Sequence, residues 1–216
     1  MNCLHPRPRV AFQGEHGAFS EDAAIKLLGP DIELVPRRNF GALFSSVDEG
    51  VADYVLAPVE NSLIGSIQPA VDLLRESSLE IAGDVVIQIQ QNLIGCRGAL
   101  FEEIEAVESH PAALAQCDRF FIDHPEIARI ESEDTAGSVA RIVALGDPKR
   151  AAIAGRRAAE LYGGTILRED LQDRPENYTR FLLLTTDPFM PEVLKHQQSD
   201  LSDKEQRYTE EVDRGR

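Results

Sequence analysis

The chain predicts an α/β protein of two lobes. Short apolar runs alternate with amphipathic helical runs from Arg9 onward, the pattern of a parallel sheet covered by helices. That rhythm breaks at a long extended run, Ile81 to Leu93, and then resumes. A second long apolar run, Leu182-Leu183-Leu184, follows near the end. Two sets of alternating elements joined by two crossing segments imply two lobes with a cleft between them. The first lobe is expected to comprise residues 1–88 and 175–190, the second residues 89–174. A charged tail, 191–216, is too poor in large apolar residues to form a domain.

Arg9 to Gly14 reads as a strand ending at a glycine. Ser20 is placed to cap a helix whose inward stripe is Ala24, Leu27 and Leu28, with Gly29-Pro30 stopping it. Ile32 to Val35 is a second strand, and Asn39 caps a helix with Phe40, Leu43, Phe44 and Val47 on one face, ended by Gly50. Tyr54 to Val59 is a third strand. Ser66 is expected to cap the next helix, which turns Ile67, Ala70, Val71 and Leu74 inward. In the extended run, Val85, Ile87 and Ile89 alternate with Val86, Gln88 and Gln90, so the strand can leave one sheet and enter another. The second lobe repeats the pattern: a strand at Ala106-Val107-Glu108 and a helix from His110, a strand at Ala128 to Glu131 and a helix from Asp134, a strand at Ala151 to Ala154 and a short helix ending at Gly163-Gly164.

Composition bounds the function. In 216 residues the formal net charge is -15, which argues against nucleic acid and anionic membrane surfaces as partners. The N-terminus has no apolar signal core, and no run approaches the roughly 18 apolar residues of a membrane span. Cys3, Cys96 and Cys117 share no metal-type spacing, and an odd number suits a reducing, cytoplasmic setting with free thiols. The histidines show no zinc spacing. No metal is expected.

Five polar clusters fall where an open α/β sheet presents strand ends and helix starts to a ligand. They are Gly14 to Ser20, Glu60-Asn61-Ser62, Ser109-His110-Pro111, Asp134-Thr135-Ala136, and Asn177-Tyr178-Thr179-Arg180-Phe181. Each has an ordinary structural reading. Gly14 to Ser20 lacks the full dinucleotide fingerprint and works as a glycine turn. Asp134 suits a helix cap, Glu60-Asn61-Ser62 a local turn, and Pro111 a first helical turn. Cys117 shares a helical face with Ala113, Leu114 and Phe121, where a buried inert thiol is the usual occupant, so a Cys–His nucleophile with His110 is rejected. The last cluster is harder to dismiss. Burying Thr179 and Arg180 ahead of an apolar strand costs several kcal/mol unless they are partnered, and the planar fork of Arg180 suits a carboxylate.

In sequence order, these clusters resemble the prephenate dehydratase family. The matching pieces are Gly14-x-x-Gly17-Ala18-Phe19-Ser20, Pro58-x-Glu60-Asn61-Ser62-x-x-Gly65, Ser109-His110-Pro111 with Gln116-Cys117, Asp134-Thr135-Ala136, Ala151 to Ala154, and Asp173-x-x-x-Asn177-x-Thr179-Arg180-Phe181. The resemblance implies a two-lobed fold like that of type II periplasmic binding proteins, with the active site in the inter-lobe cleft. It also implies decarboxylating dehydration of prephenate to phenylpyruvate in L-phenylalanine biosynthesis, without cofactor or metal. Carried over by position, Thr179, Asn61 and Gln116 are the expected catalytic residues. Ser62, Ser109, His110, Thr135, Ala136, Arg180 and Phe181 are the expected substrate contacts.

Thr179 would stabilise the departing hydroxyl, Arg180 would hold a carboxylate, and cleft closure would assemble the two sets. Two departures stand out. Ala112 occupies the place where the family often has glutamine, and only 35 residues follow Phe181, too few and too polar for the ACT domain many members carry. The expectation is a catalytic core without that module, acting on a small-molecule substrate; family members often form homo-oligomers. Arogenate dehydration remains an alternative, as does a non-catalytic small-anion binding or sensor module of the same fold.

Overall fold

A computed structural model describes residues 7–186; the tail expected at 191–216 lies outside the described residues. In chain order the elements are β1 (Arg9–Gln13), α1 (Phe19–Leu28), β2 (Glu33–Arg37), α2 (Phe40–Phe44), β3 (Tyr54–Asn61), β4 (Gly65–Ser66), α3 (Gln68–Glu76), β5 (Glu80–Gln88) and β6 (Asn92–Gly95). A 3-10 turn at Phe101–Glu103 leads to β7 (Ala106–Ser109), α4 (Pro111–Ala115), α5 (Asp118–Asp123), β8 (Ala128–Glu131), α6 (Thr135–Leu145), β9 (Arg150–Ala154), α7 (Arg156–Tyr162), β10 (Thr165–Arg168) and β11 (Tyr178–Thr185).

The chain forms two compact units. Among the described residues, the first contains residues 7–14, Ser20–Gln88 and residues 178–186; the second contains Glu15–Phe19 and Ile89–Asn177. Glu15–Phe19, assigned to the first lobe on sequence, thus packs with the second unit. Gly17 explains this. It adopts φ +88°, and a Cβ there would stand 2.9 Å from the backbone of Ala158, so only glycine lets this loop lie against α7.

The first unit's sheet runs β2-β1-β3-β11-β5, with β4 paired to β3. β1 is parallel to β2 and β3, as the alternation predicts, but β11 runs antiparallel to both β3 and β5. Leu182 and Leu184 pack with Val55, Ala57 and Val59 of β3 and against Leu43, Phe44 and Ala70 of α2 and α3. Leu183 and Leu184 have no exposed surface, and truncating either to alanine would cost about 2–5 kcal/mol.

The second unit's sheet runs β10-β6-β9-β7-β8, with β7 parallel to β8 and β9, and β6 antiparallel to β9 and β10. β9 is its spine. Ala151 and Ile153 face one core with Val107, Leu114 and Phe121, whereas Ala152 and Ala154 face another with Val139, Ile142 and Ala158. That alternation is the period of two of a strand buried on both faces. Glu108 of β7 is buried and pairs with Arg141 at 3.1 Å and Arg150 at 3.0 Å, which tie α6 and β9 to β7.

Several local expectations change. Ser20 lies inside α1 rather than at its cap, because the turn from Glu15 to Ala18 starts the helix at Phe19. Ser66 pairs in β4, and α3 starts after Ile67 with Pro69 in its first turn. Asn39 does cap α2, accepting from the Ala42 amide at 2.8 Å. Gly50 lies beyond the end of that helix, at φ +68° in the following turns. The long extended run divides into β5 and β6, separated by Ile89 to Gln91. β10 was not anticipated: it is a four-residue edge strand with a bulge between Ile166 and Arg168, next to a glycine pair that reads as a turn. Among the described residues no helix is long and apolar enough to cross a membrane.

Candidate active site

In the first unit the candidate site is built by β3 and β11. Pro58 has no N–H to give a neighbouring strand, and the register between β3 and β11 shifts beside it, between Arg180 and Phe181. Beyond the shift, Asn61 lies directly opposite Thr179. The Asn61 Nδ2 donates to Thr179 Oγ1 at 2.9 Å and to the Tyr178 carbonyl at 3.1 Å. Its Oδ1 accepts from the Leu63 and Ile64 amides at 3.0 and 3.3 Å, which fixes which way the amide faces. The neighbouring Ser62 Oγ accepts from the Tyr178 amide at 2.9 Å, and its own amide donates to the Tyr178 carbonyl at 2.9 Å.

One acceptor position of Thr179 is therefore occupied by an amide donor. Its own hydroxyl proton has no acceptor among the described residues. A hydroxyl that accepts in this way can still donate its own proton.

Arg180 is nearly buried, and its Nε donates to the Asp84 carboxylate on β5 at 3.0 Å. Sequence gave no sign of Asp84, which lies one strand away on the alternating run. Phe181 is buried in the strand. The polar residues of β11 thus meet partners across the sheet, which removes the desolvation cost their burial would otherwise carry.

In the second unit Gln116 follows α4 and is half-buried. Its Oε1 accepts from Asn177 Nδ2 at 3.0 Å and from Gln91 Nε2 at 3.3 Å. Its backbone carbonyl accepts from the Asp173 amide at 2.7 Å. The Asp173 carboxylate in turn accepts from the Asp118 and Arg119 amides, both at 3.0 Å, and so caps α5. Gln91 is held through its backbone by Gln172 Oε1 and the Leu171 amide, each at 2.8 Å. Its side-chain Oε1 is buried without a hydrogen-bond partner among the described residues, a defect that costs about 1–3 kcal/mol.

The remaining expected residues end or follow β7 and β8, adjacent parallel strands of the second unit's sheet. Ser109 has no exposed surface, and its hydroxyl donates to the Ile153 carbonyl at 2.6 Å. His110 is exposed and caps α4, its Nδ1 accepting from the Ala112 amide at 3.1 Å, so Nε2 carries the proton. Thr135 opens α6 with its hydroxyl unbonded among the described residues, and Ala136 is buried behind it. Asp134 caps that helix through the Gly137 amide.

Cys117 is buried between α4 and α5; burial first, and then the charge of Asp173, push its thiol pKa up to about 12. It is not a nucleophile at neutral pH. Among the described residues no group of three or more histidine, cysteine, aspartate or glutamate side chains is arranged to hold a metal ion.

Sequence reasoning brought together Asn61, Ser62 and Thr179 in one unit and Gln116 with its neighbours in the other. It missed Asp84, Gln91 and Gln172, none of which carries a local signal, and it did not foresee the bond from Asn177 to Gln116.

Comparison with known proteins supplies the family. The family model described as prephenate dehydratase matches residues 10–188. The arogenate dehydratase/prephenate dehydratase 2, chloroplastic, of Arabidopsis thaliana is 40% identical over 185 residues, covering 86% of this chain and 48% of that protein. The solved prephenate dehydratase from Arthrobacter aurescens, in complex with L-Phe, is 28% identical with a TM-score of 0.76, covering 85% of this chain and 62% of that one. A solved protein described as GqqA, a novel type of quorum quenching acylase, is 30% identical with a TM-score of 0.75, covering 84% of this chain and 65% of that one. The chain spans about half the length of the curated relatives it matches. With nearly all its described residues inside the matched span, and the matched motifs forming the hydrogen-bonded clusters above, the chain belongs to the prephenate dehydratase family.

Proposed function

We propose that this chain converts prephenate to phenylpyruvate as a carbon–oxygen lyase of L-phenylalanine biosynthesis. The observation that carries the reading is the Asn61–Thr179 pair, in which the threonine hydroxyl accepts from the asparagine amide and keeps its own proton to donate. The ring carboxylate leaves as CO2, and its C–C bonding electrons enter the ring. The ring hydroxyl leaves with its C–O electrons and one added proton as water, so prephenate and a proton give phenylpyruvate, CO2 and water. Aromatisation drives the step. A neutral threonine is a weak acid, so Thr179 acts by stabilising charge on the departing oxygen while solvent supplies the net proton. Arg180, its charge balanced and its orientation held by Asp84, offers guanidinium N–H donors to a substrate carboxylate. Ser62, His110, Gln116 and Thr135 offer further polar contacts. Ser109 and Ala136 shape their surroundings from within the fold.

The second reading is the same elimination on arogenate, favoured by the name of the Arabidopsis relative. It differs only in an amino group in place of the ketone. A cytoplasmic setting fits the unpaired, buried Cys96 and Cys117. The partner is a small anion rather than nucleic acid or membrane, in keeping with the net charge of -15. A homo-oligomeric state belongs to the same proposal and is read by light scattering.

The deciding experiment incubates purified protein with prephenate and, separately, arogenate, following CO2 release and the ultraviolet absorbance of the aromatic product. Turnover of prephenate at least tenfold faster is expected. Binding of either compound without CO2 release would replace the enzyme reading with a sensor.

A further inference from the structure

We infer that Asn177, assisted by Gln91, is a positioning residue that sets the side-chain amide of Gln116 with its NH2 directed outward as a donor. The inference rests on the proposed dehydratase reading for its kinetic consequences, but not for its geometry. An unrestrained glutamine can present either its oxygen or its nitrogen. Here the Gln116 Oε1 receives two N–H donors, from Asn177 at 3.0 Å and from Gln91 at 3.3 Å. Turning the amide over would set NH2 against NH2 at both contacts. The Gln116 Nε2 itself makes no hydrogen bond among the described residues, and the residue is only half-buried.

The donors cannot easily retreat. Asn177 has no exposed surface and Gln91 is 2% exposed. The Asn177 carbonyl accepts from the Ile89 amide at 2.7 Å, and Gln91 is gripped at both backbone groups by Leu171 and Gln172. The turn bearing Gln116 is fixed too, since the Asp173 amide holds its carbonyl while the Asp173 carboxylate caps the next helix. The segment from Leu171 to Asn177 therefore works as a clamp on one amide. It explains why Asp173 and Asn177 occur four apart in the motif: one holds the backbone of Gln116 and the other its side chain. An outward NH2 suits an oxygen acceptor, a carboxylate or hydroxyl of a small anion, whereas an outward carbonyl would repel it.

A double-mutant cycle tests this. Asn177→Leu keeps the branched shape and heavy-atom count and removes the donor, and should lower kcat/KM for prephenate by about tenfold to a hundredfold. In a Gln116→Met background the same substitution should cost less than about twofold, because the amide it positions is absent. An equal loss in both backgrounds would overturn the positioning role and make Asn177 merely structural.

A second arm needs no turnover. In the unliganded protein, the Gln116 side-chain NH2 protons should exchange with solvent quickly, and those of Asn177 slowly. They are assigned in 15N spectra by their disappearance in Gln116→Met and Asn177→Leu. Slow exchange at Gln116 would refute the orientation. Should neither prephenate nor arogenate react with the wild-type protein, the dehydratase reading fails while this arm still decides the amide.

Discussion

At the scale of single residues, the proposed chemistry rests on Asn61 and Thr179. A hydroxyl both accepts and donates, and the Asn61 amide, 2.9 Å from Thr179 Oγ1, fills one of its acceptor positions. Thr179→Val keeps the β-branched shape in a buried strand position and removes only the oxygen. It should lower kcat for prephenate by about a hundredfold to a thousandfold, the usual cost of losing a preorganised donor, with KM changed by less than about threefold. Stopped-flow and steady-state rates on the same preparation check it, and near-normal turnover would remove Thr179 from the chemistry. Asn61→Asp probes the polarity of the pair. A carboxylate would accept the threonine proton and turn it away from substrate, so this variant should lose as much kcat as Thr179→Val while still melting cooperatively. Thr179 and Asn61 were legible from the sequence as polar side chains bordering apolar strands. Asp84, Gln91 and Gln172 were not, because an isolated carboxamide or carboxylate on an extended run looks the same whether it faces solvent or a partner far along the chain.

At the scale of elements, the periodicities identified most strands and helices, while pairing direction and helix starts escaped it. β11 was legible as a strand from Leu182 to Leu184, but nothing in an apolar triplet says that it runs antiparallel to both neighbours or that it begins as early as Tyr178. The helix starts at Phe19 and Gln68 were misplaced because Ser20 and Ser66 look like caps. The glycine turn at 17 and the short pairing of β4 override that preference.

The Gly14-x-x-Gly17 piece gains its meaning here. Gly17 combines φ +88° with an approach of 2.9 Å between a would-be Cβ and the Ala158 backbone. Gly17→Ala should therefore destabilise the protein by about 1–3 kcal/mol through backbone strain alone, and by more if the loop cannot retreat from α7. Its urea midpoint should fall with little change in slope. Gly29→Ala is the matched control: φ is +78° there as well, but nothing lies within 4 Å of the new methyl. The difference between the two measures the close packing on α7 separately from the strain.

At the scale of the whole molecule, charge is the dominant property. One ion pair gives a signed dependence on pH. Hydrogen bonding from Arg9 holds the Asp53 carboxyl below its usual range, against a smaller opposing effect of burial. A depressed carboxyl stabilises the fold above its unfolded pKa of about 3.9, and that contribution is lost as pH falls through the folded value. Asp53→Asn should thus lower the urea midpoint slightly at pH 7, with the difference shrinking as pH falls below about 3.9 toward the folded value. The effect is small because both side chains are part-exposed.

The larger consequence concerns the substrate. A formal charge of -15 repels an anion of charge two at distances where no single arginine dominates. The Debye length shrinks from about 30 Å at 10 mM salt to about 8 Å at 150 mM, so salt should weaken that repulsion far more than it weakens contacts inside the site. For prephenate, kcat/KM should rise severalfold over this range while kcat stays nearly constant. For arogenate, whose amino group offsets one negative charge, the rise should be smaller. A fall in kcat/KM with salt would mean that local cations such as Arg180 control encounter as well as binding, and that the overall charge of the chain is irrelevant to its substrate.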